Sequence, residues 1–130
     1  GMIANGGQAV TPKIIKSTTS QELSAKEKSA ALFSTVKISE DIAAKMKELL
    51  RSNVKDNYTD QKLGKGLEMC GKTGTAENGS GQPHAWFIGF SQKESLPYAI
   101  VVTVENGGWS SSAAVPIVKK VMTAMSEKYG

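Results

Sequence analysis

The stretch "GLEMCGKTGTAENGSG", residues 66–81, decides the fold. Gly66 to Thr73 fits G-x-x-x-x-G-K-[ST], the pattern of a phosphate-cradling loop, where a strand ends at the first glycine and a helix begins at the Lys-Thr pair. The same residues also read as an edge strand centred on Lys72-Thr73-Gly74. The flanks choose between the two. Upstream, "DNYTDQKLGK" (56–65) is too polar for a buried strand, and downstream "GTAENGSGQP" (74–83) has three glycines and a proline where a helix would have to start. Glu68 would also place a negative charge inside the anion cradle. The strand reading stands.

Working outward, strands are expected over Glu68–Glu77, His84–Ser91 and Tyr98–Glu105. "NGSGQP" and "SQKESLP", both rich in turn residues, join them as antiparallel hairpins. "YAIVVTVE" is almost continuously apolar, which suits a strand covered on both faces. Towards the N-terminus, "MIANGG" reads as the tail of an apolar helix and a break. An extended run over Ala9–Ile15 follows, interrupted by Pro12, and residues 17–33 read as loop with one short helix. Ser39 is an N-cap, with Glu40 and Asp41 where the helix dipole favours acids. The helix it starts is expected to end near Asn53 and to bury a stripe of Ile42, Met46, Leu49 and Leu50, with loop over 54–66. After Gly107-Gly108, the spacing of Ala114, Ile117, Val118, Val121, Met122 and Met125 predicts a last amphipathic helix, with Pro116 in its first turn. The class is α+β: an antiparallel three-strand meander flanked by helices.

At 130 residues the chain is one domain at most, and 39% hydrophobic with 22% charged residues is a globular composition. The net charge of +4 is spread over helix faces, which argues against a nucleic-acid partner. One cysteine, Cys70, and one histidine, His84, exclude a disulfide framework and a zinc site, and nothing points to a cofactor. No stretch approaches the roughly 18 apolar residues of a membrane span. Cys70 reads as a small buried side chain, His84 as an exposed residue at a strand start, and Trp86, Phe87 and Phe90 as core. Alternation sends one of the adjacent Trp86 and Phe87 outward. Trp109, between two turns, reads as lining a cleft or capping the last helix.

As an edge strand, residues 68–77 carry chemistry. Alternation puts the Thr73 and Thr75 hydroxyls on one face. Gly74 lets a ligand backbone approach closely, so an extended peptide can add as a further strand. Lys72 supplies a positive charge beside two hydroxyl donors, which suits a carboxylate. Alternation points Lys72 to the opposite face, so its stem must curl round the strand edge.

"GKTGTAEN", "HAWFIGFS", "YAIVVTVENGG" and "SAAVPIVKKV", in this order and spacing, closely resemble the C-terminal part of penicillin-binding-protein transpeptidase domains, with Thr75-Ala76-Glu77 and "HAWF" closer to the monofunctional class B proteins. "MIANGGQAVTPKII" resembles the segment between that family's second motif and its K-T-G strand. The resemblance implies a partial β-lactamase/transpeptidase-like fold, with residues 1–130 as the C-terminal fragment of such a domain. It implies a serine D,D-transpeptidase that cross-links peptidoglycan through an acyl-serine and is acylated by β-lactams. Lys72, Thr73 and Thr75 would then bind the carboxylate of a D-Ala-D-Ala stem peptide or a β-lactam. The Thr75 N–H would be one oxyanion donor, Lys72 would help move protons, and Gly74 would keep the strand open. The parent protein is expected to be extracytoplasmic and anchored to the bacterial membrane upstream of this fragment.

The chain departs from the family pattern in lacking any S-x-N. S-x-x-K occurs at Ser34–Lys37 and Ser52–Lys55, no more than the one or two matches that arise by chance at about this Ser and Lys content. Both are read as incidental, so the isolated chain is expected to lack the nucleophile and to be inactive. Two other readings use the same strand. One is a β-lactamase or β-lactam sensor, distinguished by hydrolysis. The other is a non-catalytic peptide-binding module, distinguished by binding without turnover. Apolar surface left bare on a fragment predicts a possible homodimer.

Overall fold

Turn chemistry folds the second half of the chain back on itself twice. Strands β3 (Cys70–Ala76), β4 (His84–Phe90) and β5 (Ala99–Val104) form an antiparallel sheet in the order β3-β4-β5. The register runs from Cys70 opposite Phe90 to Ala76 opposite His84, and from Ala85 opposite Val104 to Phe90 opposite Ala99. This is the expected meander. The chain leaves β3 into a hairpin, which disposes of the phosphate-loop reading. The computed structural model describes residues 1–10, 32–59 and 63–129, and the chain divides into two units, residues 1–46 and 47–130.

In the first unit "MIANGG" is a set of turns, not a helix tail. Asn5 N–H donates to Gly1 C=O (3.0 Å) and Gly7 N–H to Met2 C=O (2.9 Å), and Gly6 and Gly7 take positive φ. Strand β1 (Gln8–Val10) pairs antiparallel with β2 (Leu32–Lys37), with an irregular register. This second sheet was not expected, although the β-branched "FSTVK" carries the signal. Most of the run Ala9–Ile15 and of the loop over 17–33 lies outside the described residues.

Helix α1 (Glu40–Asn57) opens on Ser39, whose Oγ accepts from Ile42 N–H (3.3 Å). It runs one turn beyond the expected end at Asn53. Three of the four residues of the expected apolar stripe are overturned: Ile42 and Leu49 are each 55% exposed and Met46 is exposed as well, while Leu50 is half-buried. The buried residues are Ala43 and Val54, three turns apart on a different face. Position around the helix, not residue size, distinguishes them, since Ala44 beside Ala43 is exposed.

In the second unit helix α2 (Ala114–Tyr129) covers one face of the meander, with Pro116 in its first turn as expected. Ala114, Val118 and Met122 meet Ala85, Phe87 and Val102, and Leu63, Leu67 and Met69 complete the core. The Phe87 ring lies over the glycines of β3 and β4 that stand opposite each other. A Cβ on Gly71 would strike the ring, and one on Gly89 would come within 2.6 Å of the Cys70 carbonyl. Two glycines across a strand pair make the slot that the aromatic ring fills. The opposite face of the sheet is open: Ile88 is 57% and Val101 61% exposed. The expectation that β5 is covered on both faces is therefore corrected, because its apolar run alternates between core and solvent. Trp86 is the outward member of the Trp86–Phe87 pair.

Cys70 is buried, as its sequence context suggested, with Gln92 Nε2 3.0 Å from Sγ. Burial pushes the thiol above its ordinary range, against an opposing pull from the Arg51 charge. Folding therefore favours the neutral thiol. That stabilisation is complete below the unfolded thiol value of roughly 8.5 and falls as pH rises through the folded value. Denaturant melts of wild type and Cys70→Ala across this alkaline range should show a steeper loss in the wild type. Parallel curves would show that the thiol is not held neutral.

Candidate active site

Strand β3 is an edge of its sheet, and its free side is occupied in sequence from one end. Arg51 Nη1 donates to Met69 C=O (3.1 Å) and Asn53 Nδ2 to Gly71 C=O (2.8 Å). Lys72 Nζ then donates to Thr73 C=O (2.9 Å). In an antiparallel strand the N–H and C=O of one residue point the same way, and successive residues alternate. Since Gly71 and Thr73 present their carbonyls to the free edge, Thr75 presents both its N–H and its C=O there. Among the described residues no loop or side-chain hydrogen bond takes either group. The edge is thus closed by α1 up to residue 71, bridged by Lys72 at 73, and open at 75.

Lys72 lies on the Ile88 face by register and is exposed, while its ammonium sits at the strand edge. The long stem does curl round to the edge, as the sequence required. The two threonines lie on the other face, opposite Phe87 and Ala85. Their hydroxyls are not free donors waiting beside Lys72. Thr73 Oγ1 is 2.6 Å from Tyr58 Oη, and Thr75 Oγ1 is 3.2 Å from Ser110 Oγ. Tyr58 follows α1 and packs edge-on against Phe87, at 6.4 Å between ring centroids. The core aromatic therefore holds the phenol that holds Thr73. Gly74 is exposed on the Lys72 face, with Trp86 Cβ across from it.

Beyond Ala76 the hairpin loop is tied to the loop after β5. Asn78 Nδ2 donates to Asn106 Oδ1 (2.6 Å), Asn106 N–H donates to His84 Nδ1 (3.0 Å), and Gly108 N–H donates to Pro83 C=O (3.0 Å). His84 is half-buried, and its role here is structural: Nδ1 must be unprotonated to accept. Trp109 is 75% exposed, so its side chain does not join the core, while its carbonyl accepts the N–H groups of Ser112 and Ala113 just before α2.

Sequence reading missed Arg51, Asn53, Tyr58 and Ser110. Arg51, Val54 and Tyr58 follow one another at helical spacing from Lys47, a signal hidden by the brighter Ile42–Leu49 stripe. Ser110 carries no local signal at all. Neither S-x-x-K match has the required setting. Ser34 lies within strand β2, and Ser52 is exposed near the end of α1. A nucleophile of this type needs a helix start with the lysine one turn on. Among the described residues no group of three or more His, Cys, Asp and Glu is placed to hold a metal ion, and no helix is long and apolar enough to cross a membrane.

Comparison with known proteins identifies the family. The peptidoglycan D,D-transpeptidase PbpA of Mycobacterium tuberculosis is 33% identical over 133 residues, covering 94% of this chain and 26% of its own length. PbpA of Mycolicibacterium smegmatis is 31% identical over 132 residues, with the same coverage of 94% and 26%. The chain thus spans about a quarter of the length of these relatives. Among solved structures, the ceftriaxone acyl-enzyme complex of M. tuberculosis penicillin-binding protein A superposes with a TM-score of 0.71 at 31% identity, over 95% of this chain and 29% of that one. Pseudomonas aeruginosa PBP2 in complex with WCK 5153 superposes with a TM-score of 0.70 at 25% identity, over 95% and 28%. A family profile, the penicillin binding protein transpeptidase domain, matches residues 1–123. With the K-T-G edge strand, the meander and the helix on its face all in place, the chain belongs to the penicillin-binding-protein transpeptidase family.

Proposed function

We propose that this chain is the C-terminal part of the transpeptidase domain of a peptidoglycan D,D-transpeptidase and supplies the K-T-G wall of its active site. The observation that carries the reading is the β3 edge, closed through Thr73 and, among the described residues, open at Thr75. A donor peptide ending in D-Ala-D-Ala, or a β-lactam that mimics it, adds along this edge as an extended strand. Its carboxylate sits by Lys72 Nζ. Thr73 donates its own hydroxyl proton there while the Tyr58 phenol donates to Thr73. The scissile carbonyl oxygen faces the Thr75 N–H, one of two oxyanion donors, and Gly74 gives the ligand backbone room.

The nucleophilic serine, its lysine and the S-x-N serine lie in a part of the protein outside these 130 residues. The serine attacks the amide carbonyl and D-alanine leaves with the proton delivered by the neighbouring lysine and serine. An amine of a second stem peptide then resolves the acyl-serine. The parent protein works outside the cytoplasm, anchored to the membrane upstream of this segment. Apolar surface on the open face of the sheet gives the isolated chain a tendency to form a homodimer.

Intact mass after incubation with a β-lactam tests this reading. The 130-residue chain should gain no mass, and a longer product of its gene carrying the upstream motifs should gain one acyl group. An adduct on the short chain would place a nucleophile within it. No adduct on the longer protein would leave a peptide-binding module without catalysis.

A further inference from the structure

Ser110 sits in the loop between β5 and α2, 4% exposed, with its hydroxyl buried against the K-T-G strand. It has three partners. Its Oγ bonds to Gly74 C=O and lies 3.3 Å from Trp86 N and 3.2 Å from Thr75 Oγ1. A hydroxyl has one proton, and a carbonyl oxygen only accepts, so that proton goes to Gly74. Trp86 N–H only donates. The Thr75 hydroxyl must then donate to Ser110 as well. Every hydrogen-bonding position of Ser110 Oγ is filled, and Thr75 turns only lone pairs outward from its side chain.

The Gly74 carbonyl and the Thr75 N–H belong to one peptide unit and point in opposite directions. Holding the carbonyl inward therefore aims the N–H out of the sheet edge. Gly74 stands opposite Trp86 in the β3–β4 ladder, and the Ser110 hydroxyl adds a second hold on its carbonyl, one that reaches it from outside the sheet. Ser110 itself is anchored from both sides. Its own carbonyl accepts the N–H groups of Ala114 and Val115 at the start of α2, while the Asn106–His84 and Gly108–Pro83 bonds tie its loop to the start of β4.

We infer that Ser110 is a positioning residue for the acyl-transfer reaction, locking the Gly74–Thr75 peptide so that the Thr75 N–H is aimed at the developing oxyanion. The inference rests on the transpeptidase reading above. A hydroxyl donating to the Gly74 carbonyl polarises the same peptide and strengthens its N–H as a donor.

The test uses the longer, nucleophile-bearing protein and stopped-flow acylation by a chromogenic β-lactam, which separates initial binding from the acylation step. Ser110→Ala should slow acylation about tenfold, the weight of one lost hydrogen bond, and leave the initial binding constant in place. Ser110→Cys keeps the volume while weakening the donor, so it should show the same slowing if the alanine variant does not fold. Equal acylation rates in wild type and either folded variant would overturn the Ser110 role alone. So would a loss confined to initial binding. A wild-type protein that forms no acyl-enzyme would overturn the transpeptidase reading and this role with it.

Discussion

Thr75→Pro in the nucleophile-bearing protein should lower the rate of β-lactam acylation by about 10²–10³, the usual effect of deleting one oxyanion donor. Proline removes the outward backbone N–H and, with the threonine side chain, the bond to Ser110, and takes nothing from the β3–β4 ladder. It is tolerated at a sheet edge when that N–H faces outward. Thr75 meets this condition, because the carbonyls of Gly71 and Thr73 already mark the odd-numbered positions of β3 as outward-facing. The residue before a proline must be extended, and Gly74 lies within the strand. The pairing with β4 should therefore survive, as far-ultraviolet circular dichroism can check. Thr75→Ala keeps the N–H and loses only the bond to Ser110, so its loss should be the smaller of the two. If the alanine variant is the worse, the hydroxyl and not the N–H carries the role of this residue. An unchanged rate in Thr75→Pro would remove the N–H from the reaction.

The second large effect is on stability. Phe87→Ala should cost about 3–5 kcal/mol, the range for truncating a buried phenylalanine. Its ring is fully buried, fills the slot over Gly71 and Gly89, and supports Tyr58 edge-on. The glycine backbones cannot move in to fill the space, since they are held in the β3–β4 ladder. A domain has only about 5–15 kcal/mol to lose, so urea melts should show a much lower midpoint. Ile88→Ala, one residue along on the exposed face, should stay within about 0.5 kcal/mol in this chain. Similar losses at the two positions would mean that the open face of the sheet is covered in solution, for instance by a second copy of the chain. Because Tyr58 links the ring to Thr73, Phe87→Ala should also loosen the β3 edge.

Much of this protein was legible along the chain. Glycine and proline clusters marked both hairpins, and the three strands fall within two residues of their expected ends. Ser39 announced α1 and Pro116 the start of α2. These features are local. Each follows from the conformational limits of a few adjacent residues, so no distant contact is needed to read them. The choice between phosphate loop and edge strand was local too, because glycines after Lys72-Thr73 forbid the helix that a phosphate loop requires.

Tertiary structure decided which faces are used. Ile42, Met46 and Leu49 make the stronger stripe on α1, yet Ala43 and Val54 are the residues buried, a choice that the helix's own periodicity does not contain. Periodicity could say that Trp86 and Phe87 point opposite ways but not which one enters the core. That choice falls to the glycine slot made by two strands together. At the site, the sequence placed Lys72, Thr73, Gly74 and Thr75 on one strand and required the lysine stem to reach the edge. It could not show that Tyr58 and Ser110 already hold the two threonine hydroxyls. Ser110 is 36 residues from Gly74, and only the turn after β5 and the start of α2 bring its hydroxyl to that carbonyl. A hydrogen bond across such a separation leaves no periodic trace, since the backbone between its ends is specified by other contacts.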